Sequence, residues 1–205
     1  MEKILILNGS PRAPRSNSKR YAELFSRRCP QETDYREIRK NNHAELRAGM
    51  EHHADLLLVF PLYADALPVG LLNFLKSLET TPPDHRPVVS VLVNCGFLEP
   101  QQCEVAVRML RLFCRRNGYP FGSVLMVGGG EAILDSPFRF LVNRKIKHFA
   151  KSIAARQYGT WQTTMPIGKR LFVLASTQYW LQYGKRFGIS KRQMQTPFIE
   201  GPDSE

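Results

Sequence analysis

Short apolar runs alternate with helix-patterned segments through the first two thirds of the chain, and this alternation constrains the fold more than any other feature. Lys3–Asn8, Asp55–Phe60, Pro87–Asn94 and Ser123–Val127 are runs of Leu, Ile and Val too short for buried helices. Near-continuous apolar character over so few residues is the pattern of a strand covered on both faces of a parallel sheet. Asp34–Arg39 reads as a fifth strand, placed at an edge by its charge. Between the strands, Asn17–Arg28, Ala44–His53, Val69–Leu78 and Glu99–Asn117 carry apolar residues at three-to-four spacing, the last ended by Gly118 and Pro120. Strand and helix in turn through five rounds predict an α/β fold, a doubly wound five-stranded parallel sheet.

The pattern changes after Gly128–Gly130. Phe138–Tyr158 reads as a long basic helix, Thr160–Gly168 as a linker, Lys169–Phe187 as a helix rich in Phe, Trp and Tyr, and Ile189–Glu205 as an extended tail. The expected organisation is therefore a sheet domain over residues 1–135 with a helical extension, 136–205, packed on it. The net charge of +11 belongs to that extension: between Ser136 and Ile199 there are twelve Lys or Arg and no Asp or Glu. Such a field favours an anionic partner, and a solubilising basic face explains it equally well.

No apolar run is long enough to span a membrane. The N-terminus enters a strand pattern directly, without a cationic segment and cleavable apolar stretch, so a cytoplasmic protein is expected. Cys29, Cys95, Cys103 and Cys114 form no CxxC pair and read as buried thiols, with no metal or cluster site. His43, His52, His53, His85 and His148 read as surface residues away from the strand ends.

In an open parallel sheet, ligands bind outside the carboxyl ends of the strands, so the loops after strands one, three and four belong together. The first, Asn8-Gly9-Ser10-Pro11-Arg12-Ala13-Pro14-Arg15-Ser16-Asn17-Ser18, offers hydroxyls, arginines and a helix N-terminus, a set matched to a phosphate dianion. It is neither a GxGxxG nor a GxxxxGK[ST] loop. Ser16 capping an ordinary helix is the plainer explanation, but the position after the first buried strand favours phosphate. The second, Phe60-Pro61-Leu62-Tyr63-Ala64-Asp65-Ala66-Leu67-Pro68, could present Tyr63 to a flat ring, with the amides of Leu62 and Tyr63 reaching its polar edge. The third, Asn94-Cys95-Gly96-Phe97, has a glycine for close approach and an amide for a pyrimidine-like edge. Ordinary packing explains Tyr63, and a tight turn explains Gly96, almost as well.

Taken in this order and spacing, Asn8-Gly9-Ser10-Pro11-Arg12 with Ser16-Asn17-Ser18, Phe60-Pro61-Leu62-Tyr63 with Leu67-Pro68, and Asn94-Cys95-Gly96-Phe97 resemble the flavodoxin-like NAD(P)H-dependent FMN reductases and related quinone reductases. The resemblance covers about residues 1–130. It implies that Ser10, Arg12, Ser16, Asn17 and Ser18 cradle the FMN phosphate. It further implies that Pro61, Leu62 and Tyr63 flank the isoalloxazine, with Asn94, Gly96 and Phe97 at its pyrimidine side. The implied activity is hydride transfer from NAD(P)H through bound flavin to a flavin, quinone or similar small-molecule electron acceptor, with no catalytic side chain nominated. An FMN-binding electron-transfer or sensor module without a nicotinamide site is the alternative.

A homodimer is implied by the resemblance alone. For the aromatic stripe Phe172, Tyr179, Trp180 and Tyr183, core packing or a dimer interface is favoured over contact with an anionic membrane surface. Nucleic acid is disfavoured, because the basic residues belong to no reading module.

Overall fold

The computed structural model describes residues 3–13 and 15–195. Its sheet has six parallel strands in the order β2-β1-β3-β4-β5-β6: β1 (Ile4–Asn8), β2 (Thr33–Glu37), β3 (Asp55–Pro61), β4 (Val88–Asn94), β5 (Phe121–Val127) and β6 (Thr160–Thr163). The five expected strands are present, and β6 extends the sheet where a linker was expected. Its four residues (Thr-Trp-Gln-Thr) hold one apolar side chain, too little to declare a strand, and pairing with β5 is what makes it one.

Why the strands are strands is visible in their burial. All five residues of β1 are buried, and β3 and β4 are each buried at six of seven positions. Leu5 and Leu7, Leu56, Leu58 and Phe60, and Val89, Val91 and Val93 face one side, where they pack with Leu46, Phe74 and Leu110. These last three lie on α2 (His43–Met50), α3 (Val69–Thr80) and α4 (Glu104–Asn117). Burying one such side chain contributes about 1.5–3 kcal/mol, and these strands collect that contribution on both faces. The opposite face is covered by α1 (Asn17–Arg28) and α5 (Arg139–Ala154), whose Phe25 and Phe149 meet edge-to-face at 5.7 Å.

Ser16 caps α1 by accepting the Lys19 amide, and α4 closes on Gly118 in the left-handed conformation. Expected boundaries held to a few residues. The first turn expected for the helix after β4 is a 3-10 segment, Pro100–Cys103, with α4 beginning at Glu104.

The chain divides into two compact units, Met1–Met165 and Pro166–Glu205. The expected boundary at 135/136 followed the change in charge. The contacts follow packing instead: α5 is basic outside but buries Val142, Ile146, Phe149, Ala150 and Ile153, so it and β6 belong to the first unit. The second unit holds α6 (Lys169–Arg186) and α7 (Lys191–Met194). Ser190 opens α7 with a capping box to Gln193, inside the segment expected to be an extended tail. The rest of that tail, 196–205, lies outside the described residues.

Two further expectations are corrected by burial. His53 is not a surface residue: it is 8% exposed, its Nδ1–H donates to the Gly49 carbonyl at 2.7 Å, and its Nε2 lies 3.9 Å from Asp34. Cys95, Cys103 and Cys114 are buried thiols, whereas Cys29 is half-buried.

Candidate functional site

The chain direction reverses at β1: β2 lies on one flank and β3 on the other, and every later strand continues outward from β3. The loops leaving β1 and β3 therefore part to opposite faces of the sheet and leave a crevice, which is where open α/β sheets take ligands. Register brings Asn8 beside Val59, Pro61 beside Asn94 and Asn94 beside Val127, so the carboxyl ends of four strands form its floor.

A cavity of about 420 Å³ opens there, inside the usual range of small-molecule sites. Ser10, Arg12, Ser16, Asn17 and Ser18 line it on one side, and Pro61, Tyr63 and Asn94 on the other. Eight of the eleven expected site residues thus meet in one cavity. Leu62, Gly96 and Phe97 are not among its lining residues: Leu62 packs half-buried against the core, while Gly96 and Phe97 are exposed.

The β1 loop is built to keep donors facing outward. Asn8, fully buried, accepts the Ser10 amide on Oδ1 at 2.9 Å and donates from Nδ2 to Ser16 Oγ and to Tyr35 Oη. Ser10 Oγ accepts the Arg12 amide. Gly9 is pressed against α3, since a Cβ there would sit 3.2 Å from Leu71 Cβ. In α1, Ser16 serves the Lys19 amide by its side chain and the Arg20 amide by its carbonyl. The amides of Asn17 and Ser18 lie in the first turn, beyond reach of any intrahelical carbonyl. That turn has no acidic side chain to offset the positive end of the helix. Ser16 as a cap and a phosphate-holding loop are therefore compatible.

Arg12, Arg15, Lys19 and Arg20 line the cavity against two carboxylates, Glu23 and Glu131. Arg20 is already committed: its guanidinium holds Asp135 in a fork, with one arm at 2.9 Å, and keeps that carboxyl below its usual range. Lys19 stands over the Tyr35 ring at 6.0 Å; Arg12 and Arg15 with the hydroxyl set fit a phosphate monoester.

On the ring side the geometry differs from expectation. The Leu62 amide donates to the Asn94 carbonyl at 2.7 Å, and the Tyr63 amide to the Ala66 carbonyl at 3.1 Å. Both amides proposed for a ring edge are thus engaged. The Tyr63–Ala66 hairpin carries Ala64 and Asp65 at positive φ (44° and 58°), a left-handed pair that turns the Tyr63 ring, 44% exposed, to the cavity mouth. The Asn94 amide nitrogen donates to Phe60 O and Ser18 Oγ, tying the β3 and β4 ends to α1.

The contribution of the β5 loop was missed in the sequence. Gly128, Gly129 and Gly130 donate their amides to Thr163, Phe97 and Cys95 respectively, stitching this loop to β6 and to the loop after β4. A Cβ on Gly130 would stand 2.8 Å from Asn94 Cβ, so only glycine admits this approach. Tyr21, buried so that its phenol stays protonated far above its usual range, donates to the Gly130 carbonyl. Asn17 reaches the Glu131 carbonyl. The run of three glycines directly after a buried strand was the available signal.

No protein-family model matches this sequence, and no curated protein does. Solved structures do match. A flavodoxin of Streptococcus pneumoniae TIGR4 superposes with a TM-score of 0.55 at 15% identity, over 75% of this chain and 99% of that one. An NAD(P)H:quinone oxidoreductase of Methanothermobacter marburgensis gives 0.59 at 14% identity, over 75% and 97%. An FMN-dependent NADH-azoreductase of Bacillus anthracis, solved with FMN, gives 0.53 at 14% identity, over 78% and 100%. At such identities the likeness establishes the fold, which is flavodoxin-like.

Proposed function

We propose that the crevice binds FMN and that the protein is an NAD(P)H-dependent flavin reductase delivering electrons to a small-molecule acceptor. The observation that carries this reading is the meeting of two unlike surfaces in one cavity: an anion-ready loop from β1 and a Pro-Tyr wall from β3. Several proteins sharing the fold are flavin- or nicotinamide-dependent reductases by description, which supports the same reading.

Each residue then has a physical task. Ser10, Ser16 and Ser18 with the first amides of α1 hold the phosphate. Arg12, Arg15 and Lys19 supply countercharge. Pro61 and Tyr63 cover a ring face and exclude water from it. FMN, when bound, supplies acceptance of a hydride and its onward delivery, so the protein need only position and screen it. No side chain has to act as acid or base.

The test is direct. Protein incubated with excess FMN and desalted should retain flavin absorbance near one per chain, and anaerobic NADPH or NADH should bleach it. A colourless product that also fails to quench FMN fluorescence would overturn the cofactor assignment. Retained flavin that neither nicotinamide bleaches would overturn the reductase and leave an electron carrier.

A further inference from the structure

The second unit carries its apolar residues on the outside. In α6, Leu171, Val173, Leu174, Tyr179, Trp180 and Tyr183 are exposed, and Phe187 follows them at 65% exposure. Gly184, which takes Met194 of α7 against it, is the one buried residue of α6. The rings form one cluster: Tyr179 to Trp180 is 5.3 Å, Trp180 to Tyr183 5.8 Å and Tyr183 to Phe187 5.1 Å between centroids. Helical spacing puts Gln178, Gln182 and Lys185 on the side opposite these rings. One side of the last three turns is therefore aromatic, and the other carries Gln178, Gln182 and Lys185 with Leu181 among them.

Charge is arranged around this surface in a specific way. Residues 171–184 include no charged side chain, while Lys169 and Arg170 stand before them and Lys185, Arg186, Lys191 and Arg192 after them. Residues 166–195 contain no Asp or Glu at all. The uncharged run is about 21 Å long at helical rise, against a hydrocarbon core of about 30 Å. Among the described residues no helix is long and apolar enough to cross a membrane.

We propose that α6 and α7 form a docking surface for an anionic lipid bilayer, on which α6 lies without spanning. Trp and Tyr rings are suited to the headgroup boundary, where one edge is apolar and the other wet. The six cations meet a negative surface potential, and the long stems of Lys and Arg let apolar surface sink while the charges stay in water. A second copy of this chain is the less favoured occupant, because two such faces would bring the six cations of residues 166–195 against six, with only Glu200, Asp203 and Glu205 of the same unit to offset them.

The test uses the full chain carrying Trp161→Phe, which leaves Trp180 as the single tryptophan, with the unsubstituted chain sedimented in parallel. Vesicles of phosphatidylcholine with about one third phosphatidylglycerol should pull both proteins down and shift Trp180 emission to the blue. Phosphatidylcholine alone should not, and salt at about 0.5 M should release the protein. Neutralising Lys185 and Arg186 together to Gln should weaken partitioning about 25-fold. The proposal is overturned if neither protein sediments with the anionic vesicles. Binding to neutral vesicles with equal strength and no salt dependence would overturn it as well. So would a blue shift without lipid that grows with protein concentration, because it would assign the face to a second copy.

Discussion

Two basic helices near the end of this chain, α5 and α6, are similar in composition and opposite in fate. In α5, Val142, Ile146, Phe149 and Ile153 recur at three-to-four spacing and are all buried, while its Arg and Lys face outward. In α6, Leu171, Phe172, Val173 and Leu174 are consecutive and so spread around the whole circumference, and three of these four are exposed. The contrast teaches that angular distribution, more than apolar content, separates the two helices: α5 gathers its apolar residues into one buried stripe, while those of 171–174 point all round the helix.

The sharpest way to break the contrast is to truncate one large side chain in each helix. Phe149→Ala removes a fully buried ring that meets Phe25 and Trp161 edge-on, and should cost about 3–5 kcal/mol in urea denaturation. Trp180→Ala, at 44% exposure, should change stability by no more than about 0.5 kcal/mol. Comparable losses would mean that α6 is packed after all.

Next comes separability of the two proposed surfaces. Arg12→Ala should weaken FMN binding by about 1.5–3 kcal/mol, roughly tenfold or more in a fluorescence titration, and leave vesicle binding untouched. A parallel loss of vesicle binding would show that the units do not act independently.

Of smaller effect, Gly130→Ala forces a Cβ to 2.8 Å from Asn94 Cβ and should destabilise the first unit by about 1–3 kcal/mol, with looser FMN binding. Unchanged FMN affinity would show that the glycine loop does not shape the cavity.

Smallest is the acid response of the Arg20–Asp135 pair. Asp135 has its carboxyl lowered in the folded state, chiefly by the hydrogen bond from Arg20. The contribution is therefore present above the ordinary aspartate pKa and is lost as pH falls through the lowered value. With Asp135 two-thirds exposed, it amounts to about 0.2–1 kcal/mol. Comparing Asp135→Asn with the unsubstituted chain across acid pH should show their stabilities converging. Residues 166–195 contain no carboxylate side chain, so the helicity of α6 should not follow that titration.

The parallel strands were legible because continuous apolar runs have few places to go other than a sheet covered on both faces. The helix at about Asn17–Arg28 was legible because Tyr21, Leu24 and Phe25 recur at three-to-four spacing and Ser16 offers its cap. The placement of the β1 loop in the crevice was legible because a loop between the first buried strand and the helix after it has to leave the carboxyl end of the sheet. β6 was not legible: its hydrogen bonds come from β5, a partner more than thirty residues away. Nor was the engagement of the Leu62 amide by the Asn94 carbonyl, which depends on how β3 and β4 end side by side.

The sequence by itself determined five of the six strands and the helices α1 to α6, since periodicity and caps are local properties. Only the tertiary structure decided that the β5 glycines close against Asn94 and Cys95, that His53 is buried, and that α5 belongs to the sheet while α6 keeps its rings exposed. Those outcomes turn on close approach and burial, which are relations between distant residues, and no single stretch of chain carries them.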